Sequence, residues 1–417
     1  MRAKTADAFL IEHARIVTPD GVVEDGSLLV RNGRIAGIWP GGKAGAVEAV
    51  ADASADVNGW AVRAAAAVEA TPETAVEKVD AQGAWLIPGF IDVHVHGGGG
   101  FDFMEATAEA FDTITAFHGR GGTTSMLATT VTGSKEAQDR VIAAVRRYRG
   151  KPMPYAQLAG VHLEGPFISP KMKGAQNPDY IVPPQEEWLT DWLKSYPGEV
   201  KIQTLAPESE GALPYIGHLV AGGVVAAAGH TDATYDETRA AADAGLTHAV
   251  HCYNAMRGLH HREPGTLGAV LTDERIIAEV IADGHHVHEA GVKLLLAAKG
   301  TDKVILVTDA ISASGLGDGD YELGGLPVVV QDGVARLKEG GALAGSTLTM
   351  IGAFRFAVQR AGVSVAEASR MASGNPARQI GLDRLTGAIE AGKQADLLLL
   401  GEELELKRVW VKGRPLE

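Results

Sequence analysis

Cysteine occurs once in the 417 residues, as Cys252. No internal disulfide can therefore staple the fold, and this usage suits a reducing compartment. No apolar run approaches the roughly 18 residues a membrane span requires. Arg2, Lys4, Asp7, Glu12 and His13 interrupt the first stretch, Met1 to Val17, which is not the pattern of a signal peptide. Positive charge is scarce as well: 38 Lys and Arg against 52 Asp and Glu leave a formal charge of −14. A chain this acidic repels nucleic acid and anionic membranes, and a small anionic ligand would need a dedicated cationic pocket. The composition points to a cytoplasmic protein that binds neither nucleic acid nor membrane.

What is present is ample core-forming material, with 46% hydrophobic and 22% charged residues. The length suits one barrel of about 250–300 residues and a smaller companion. Ala8 to Pro40 reads as short strands with turns at Asp20-Gly21 and Asn32-Gly33; Asn-Gly between apolar runs favours a type I′ hairpin. Gly387 to Pro415 repeats this style, with strand-like Leu397–Leu400 and Arg408–Val411. The two ends are expected to pair into one small β-sandwich domain, comprising residues 1–83 and 385–417 around a barrel at 84–384. Residues 41–79 form an Ala-rich insertion without evident chemistry, in which Val47 to Ala70 is expected to form a surface helix.

Between the ends, apolar strand-like runs alternate with helix-length segments. The runs are Leu86–Val95, Thr123–Thr130, Gln157–Leu163, Ile202–Ala206, Val224–Ala228, His248–Cys252, Ile276–Ala282 and Val304–Val307. Eight such runs match a closed parallel (β/α)8 barrel of TIM type. At or just beyond their ends stand His94, His96, Glu164, His230, His251, His286 and Asp309. The C-terminal ends of the strands are where such a barrel carries its active site.

His94 and His96 are two apart, which on a strand places both imidazoles on one face; alone, an HxH pair is a weak metal signal. Glu164 precedes Gly165-Pro166, a rigid turn that fixes the direction of the carboxylate. His230 and His251 each follow an apolar run. One carboxylate and two imidazoles make a three-ligand N/O set that leaves a position open for water, as in catalytic rather than structural zinc sites. Such donors also suit Fe, Mn or Co. Asp309 ends the last run, where a carboxylate can act as general base to a water made acidic by a metal; the alternative for Asp309 is a helix N-cap. His260, His261, His285 and His288 dilute the signal. His248, three residues before His251, is expected on the opposite face in a structural or supporting role, and Cys252 as a packed thiol.

Several longer motifs resemble one family. His162-Leu-Glu-Gly-Pro-Phe167, Gly229-His-Thr-Asp-Ala233, Tyr253-Asn-Ala-Met256, Arg262-Glu-Pro-Gly265, Asp283-Gly-His-His-Val287, Val307-Thr-Asp-Ala310 and Leu343-Ala-Gly-Ser346 are similar to the N-acetylglucosamine-6-phosphate deacetylases of the amidohydrolase superfamily. The resemblance spans about residues 85 to 400. It implies hydrolysis of the acetamide on a 6-phosphosugar, as used in amino-sugar catabolism and cell-wall sugar recycling. It further implies a divalent metal (Zn, Fe, Mn or Co, one or two per subunit) on Glu164, His230 and His251, with Asp309 as base and then acid. Ala175, Gln176, Asn254, Ala255 and Arg262 would contact the substrate, with Arg262 supplying the phosphate's cation. His286 would bind the sugar hydroxyls, and Leu343, Ala344 and Gly345 would cover the substrate. A homodimer is implied, with Arg262 reaching a partner's site.

Two departures qualify the resemblance. Members differ in whether they have the first-strand HxH, so His94 and His96 suggest room for a second ion with Glu164 bridging. Gln176 stands where many members have a histidine that hydrogen-bonds the substrate carbonyl; an amide can donate that bond but carries no positive charge. Three alternatives stand beside this reading. A different amidohydrolase, such as a cyclic amidase or nucleobase deaminase, is disfavoured because Arg262 and the Asn254-Ala255 pair suit a phosphosugar. An N-acetylgalactosamine-6-phosphate deacetylase would share every metal ligand. A non-catalytic sugar-phosphate sensor would be expected to have lost Asp309 or a ligand.

Overall fold

The computed structural model describes residues 8–41 and 76–416. The expected helix at Val47 to Ala70 lies outside the described residues. The chain divides into two compact units, one made of the stretch up to Phe90 with Gly381 onward, the other of Ile91–Ile380.

The first unit is an eight-stranded sheet in which the two chain ends interleave. Its order is Arg414–Pro415, Leu406–Val411, Leu397–Leu400, Trp85–Pro88, Ala8–Thr18, Gly21–Arg31 and Arg34–Pro40, with Glu77–Asp80 paired to Ala8–Thr18. Leu397–Leu400 runs antiparallel to Trp85–Pro88. Phe9 and Ile11, Leu28 and Val30, and Leu397 and Leu399 pack in one core with Trp410, and the intervening Leu10, Leu29 and Leu398 are buried as well, so both faces of these strands are covered. Asn32 and Gly33 have φ of 50° and 72°, as a type I′ turn demands. The first hairpin turns one residue earlier than expected, at Pro19-Asp20, because Thr18 pairs with Gly21. Proline's fixed φ suits the leading corner of that turn.

The second unit carries eight parallel strands. In chain order they are Phe90–Asp92, Thr123–Thr130, Gln157–Glu164, Val200–Leu205, Val225–Ala228, His248–Ala249, Ile277–Ile281 and Val304–Val307, each hydrogen-bonded to the next. We refer to them as strands one to eight. Every residue of strands two, three and eight is buried. Burial on both faces is why these segments read as unbroken runs rather than alternating ones. Side-chain caps start intervening helices: Thr107 opens Ala108–Arg120, Ser134 opens Lys135–Arg149, and Thr234 with Glu237 forms a capping box for Tyr235–Asp243.

The first expected run, Leu86–Val95, is in fact two strands. Pro88 lacks an N–H with which to continue a ladder, so Trp85–Pro88 belongs to the terminal sheet and the barrel strand begins at Phe90. Strands one and eight are joined beyond their ends by single bonds: Asp309 N–H donates to the His94 carbonyl (2.8 Å) and His96 N–H to that of Ala310 (2.8 Å). The buried Asp92 carboxylate adds an acceptor for the Thr308 hydroxyl at 2.6 Å. Burial pushes Asp92 up to about 7, against the pull of its bonds from Thr308 and His94. After strand eight come three antiparallel strands, Gly319–Leu323, Leu326–Gln331 and Val334–Leu337. Their apolar side packs with Val131, Ile311, Ala313 and Ala344. Among the described residues no helix is long and apolar enough to cross a membrane.

Candidate metal centre

Strand three ends on Glu164, and strands five and six run out just before His230 and His251. Oε1 of Glu164 lies 3.1 Å from Nε2 of His230 and 3.0 Å from Nε2 of His251, and those two nitrogens are 3.2 Å apart. The backbone is unusual where it delivers these groups. His230, His251 and Asp309 have φ of 47°, 28° and 50°, and Ala255 beside them has 47°. Non-glycine residues avoid this left-handed region, and clusters of them mark sites that the surrounding fold holds in place.

Hydrogen bonding on the far side of the rings decides what their near sides offer. Nδ1 of His230 donates to the Met172 carbonyl at 3.0 Å, which leaves a lone pair on Nε2 pointing at the Glu164 carboxylate. Nδ1 of His94 lies 2.9 Å from Oε2 of Glu279 and donates to it. Nε2 of His94 then faces Oε1 of Glu164 at 3.2 Å, buried and without a hydrogen-bond partner. Lone pairs converging on a carboxylate repel one another unless a cation lies between them. Four donors about 2.0–2.1 Å from a tetrahedral ion stand about 3.3 Å apart, close to the spacing found here. The residues fit a divalent metal.

His96 and Asp309 complete the wall. Nε2 of His96 is 3.3 Å from Oε2 of Glu164 and 3.1 Å from Oδ1 of Asp309, while Nε2 of His94 is 3.6 Å from that same aspartate oxygen. His94, His96 and Asp309 form one potential ligand set and His94, Glu164 and His251 another. Charge follows from this packing. Burial opposes ionisation of Glu164, yet positive charge on the facing side, at His94 first, holds its carboxyl well below the usual range. Burial likewise opposes the charge on Asp309, but His94 and His96 outweigh it and lower this carboxyl too. Burial lowers His96, but Asp309 and Glu164 raise it further, to about 10. The carboxylates of Glu164 and Asp309 draw positive charge to the cluster.

The side chain of Gln176 is buried and engaged at both ends. Its Nε2 donates to Oε2 of Glu164 at 2.6 Å and its Oε1 accepts from Thr132 N–H at 2.7 Å. Ala175 packs on the core beneath the three-stranded sheet. Ala255 accepts Thr231 N–H through its carbonyl, and Asn254 N–H donates to the His251 carbonyl. A Cβ on Gly174 would touch His230 at 3.3 Å and Ala255 at 3.7 Å, so the loop carrying Gln176 lies against both. Nδ1 of His286 is paired with Asp283 at 2.7 Å. Leu343–Gly345 runs along the Asp309 backbone: Ser346 N–H donates to the Asp309 carbonyl at 2.7 Å, and a Cβ on Gly345, at φ +56°, would stand 2.7 Å from that oxygen. Arg262 is exposed, and its guanidinium donates to Nε2 of His261 at 2.6 Å.

Comparisons with known proteins agree with this geometry. The pattern of the amidohydrolase family matches residues 85–416. The chain belongs to the amidohydrolase family. It is 41% identical over 349 residues to the N-acetylgalactosamine-6-phosphate deacetylase of Escherichia coli O157:H7, covering 84% of this chain and 91% of that one. It is 35% identical over 405 residues to the N-acetylglucosamine-6-phosphate deacetylase of Bacillus subtilis, covering 96% and 95%. Among solved structures, a mutant N-acetyl-D-glucosamine-6-phosphate deacetylase of Mycobacterium smegmatis, in complex with N-acetyl-D-glucosamine-6-phosphate, superposes with a TM-score of 0.85. That pair is 35% identical, with 98% and 99% of the chains covered.

This amidohydrolase also contains polar residues at its centre that sequence reasoning passed over. Glu279, fully buried in strand seven, pairs with both His94 and His248. A lone carboxylate inside the apolar run Ile276–Ala282 was the available signal. Asp92 stood out in the same way within Phe90–Val93. Glu208 accepts from the Thr231 hydroxyl and from Asp232 N–H, steadying the loop after His230. Nothing in its local sequence distinguishes it. His248 does not simply alternate away from His251, because strand six is only His248–Ala249 and the chain leaves the extended conformation before His251.

Proposed function

We propose that the chain hydrolyses the acetamide of N-acetyl-D-glucosamine 6-phosphate to D-glucosamine 6-phosphate and acetate. The observation that carries this reading is the convergence of the Nε2 atoms of His230, His251 and His94 on Glu164, with the carboxylate of Asp309 alongside. The likeness to 6-phosphosugar deacetylases over nearly the whole chain supports the substrate class. We assign Glu164, His230 and His251 as holders of the principal divalent ion (Zn, Fe, Mn or Co) and His94 and His96 as holders of a second.

A metal in this centre supplies Lewis-acid polarisation and makes water acidic enough to attack near neutral pH. The residues do the rest. Asp309, anionic in its pocket, takes the proton of the attacking water and delivers it to the amine nitrogen as the C–N bond breaks, so that acetate and a free amine leave. Gln176 spends one amide hydrogen on Glu164 and has a second with which to bond the acetamide oxygen as it gains charge. Ala175, Asn254, Ala255 and His286 border the sugar, and Leu343, Ala344 and Gly345 cover it. The exposed guanidinium of Arg262 is assigned to the phosphate, which it matches through paired N–H groups. We assign the enzyme to the cytoplasm, which the free, buried Cys252 suits, and we expect a homodimer that brings Arg262 to a partner's site.

The E. coli relative favours a second reading, deacetylation of the galactosamine epimer. Acetate release from the two 6-phosphorylated N-acetylhexosamines tests both. A higher kcat/KM on the glucosamine compound supports the first reading, a higher value on the galactosamine compound replaces it with the second, and turnover of neither rejects both.

A further inference from the structure

Glu279 sits mid-strand, with Ala278, Val280 and Ile281 buried around it. A charge placed there persists only when specific groups answer it. Three do. Oε1 of Glu279 lies 2.7 Å from Nε2 of His248, and Oε2 lies 2.9 Å from Nδ1 of His94 and 3.3 Å from the backbone N–H of His251. An ionised carboxylate can only accept hydrogen bonds, so both imidazoles must donate to it.

Donation from Nδ1 leaves Nε2 of His94 as the nitrogen available to an ion, which displaces any proton it carries. That Nε2 lies 3.2 Å from Oε1 of Glu164 and 3.6 Å from Oδ1 of Asp309. Metal-binding imidazoles commonly gain orientation and basicity from a carboxylate on their far nitrogen. We propose that Glu279, steadied by His248, is a positioning residue that fixes the ring and tautomer of His94 so that Nε2 is presented to the second ion. The inference rests on the reading of His94 and His96 as second-ion ligands.

A competing possibility is that His94, His162 and Glu279, which lie close enough together, hold an ion themselves. His162 rules this out. Its Nδ1 donates to the Val93 carbonyl at 2.9 Å, and its Nε2 accepts from the Thr204 hydroxyl at 2.8 Å, so no lone pair is left for a metal. Glu279 is likewise filled by its two imidazoles. These groups surround the ion site without entering it, and the chain of contacts runs from His248 through Glu279 to His94.

The test counts ions rather than turnover. Metal-loaded native protein, Glu279→Gln and His248→Asn are titrated with a chelator while bound metal per subunit is measured, and circular dichroism with thermal unfolding checks the fold. Native protein is expected to hold two ions. In Glu279→Gln the second ion should weaken about ten- to hundredfold while the first is unchanged, and His248→Asn should move in the same direction. If Glu279→Gln does not fold, His248→Asn carries the same expectation. Two ions held with native affinities in the folded variants would overturn the inference alone, as would equal weakening of both ions. A native protein that holds one ion would overturn the two-ion reading, and the inference with it, before any variant is made.

Discussion

The Nε2 atoms of His230 and His251 lie 3.2 Å apart, and both face the same oxygen of Glu164. With His230 fixed by its bond to the Met172 carbonyl, a cation among the three groups stabilises this arrangement. Stripping the protein with a strong chelator should therefore lower its unfolding temperature, and adding back a divalent ion should restore it by mass action. Differential scanning calorimetry checks this. An unfolding temperature indifferent to both treatments would mean that the three side chains hold no structural charge in common.

Asp309→Asn should keep the fold and the metal while losing about 10²- to 10⁴-fold in kcat, the usual worth of a positioned acid–base group. The Asp309 backbone is held by the Ser346 N–H and the His94 carbonyl, neither of which the substitution touches. Metal content and steady-state acetate release, measured on the same sample, separate a chemical loss from a binding loss. Retention of near-native kcat would remove Asp309 from the mechanism.

Gln176→Ala removes the donor to Glu164 and the acceptor for Thr132 N–H. Leaving such buried groups unpaired costs about 1–3 kcal/mol, so the unfolding free energy should fall by about that much and the denaturant midpoint with it. The principal ion should also bind less tightly, since its carboxylate is then less firmly aimed. An unchanged midpoint would mean that water or a rearranged loop replaces the amide.

The barrel and the residues at its rim were legible in the sequence, but the backbone that delivers them was not. Thr123–Thr130 and Val304–Val307 emerge with the expected boundaries because two-sided burial leaves an uninterrupted apolar run. Asn32-Gly33 was readable because few residue pairs accept two positive φ angles in succession. His94 and His96 face the same carboxylates as expected, but strand alternation is not what brings them there. His94 and His96 lie beyond Asp92, where strand one ends, and they converge through loop bonds to Asp309 and Ala310 rather than by a period of two. The left-handed backbone at His230, His251 and Asp309 leaves no mark in residue type, since none of the three is glycine. Glu279 was visible as a charge in an apolar run, but its partner His94 lies 185 residues away, a pairing that only the closed barrel creates.

Acid should weaken the fold through His118. Its Nε2 donates to the Gly97 carbonyl at 2.9 Å, and burial lowers its pKa from 6.5 to about 4. In the unfolded chain this imidazole takes a proton as pH drops through about 6.5, whereas in the fold it stays neutral until about 4. The unfolded state therefore binds more protons across that window, and stability declines as pH falls from about 6.5 to 4, by up to about 3 kcal/mol. His118→Gln keeps a donor for Gly97 and has no titrating group, so its stability should decline less over the same window. Urea midpoints for both proteins at several pH values provide the comparison. Parallel pH profiles would show that His118 does not contribute.

The position of the metal tests the account most directly. Crystals of the loaded protein, measured at the absorption edge of the bound ion, should show an anomalous peak within about 2.0–2.2 Å of Glu164, His230 and His251, with a second peak beside His94 and His96. A principal peak elsewhere in the molecule, or a catalytically active protein with no ion between those three residues, would contradict it.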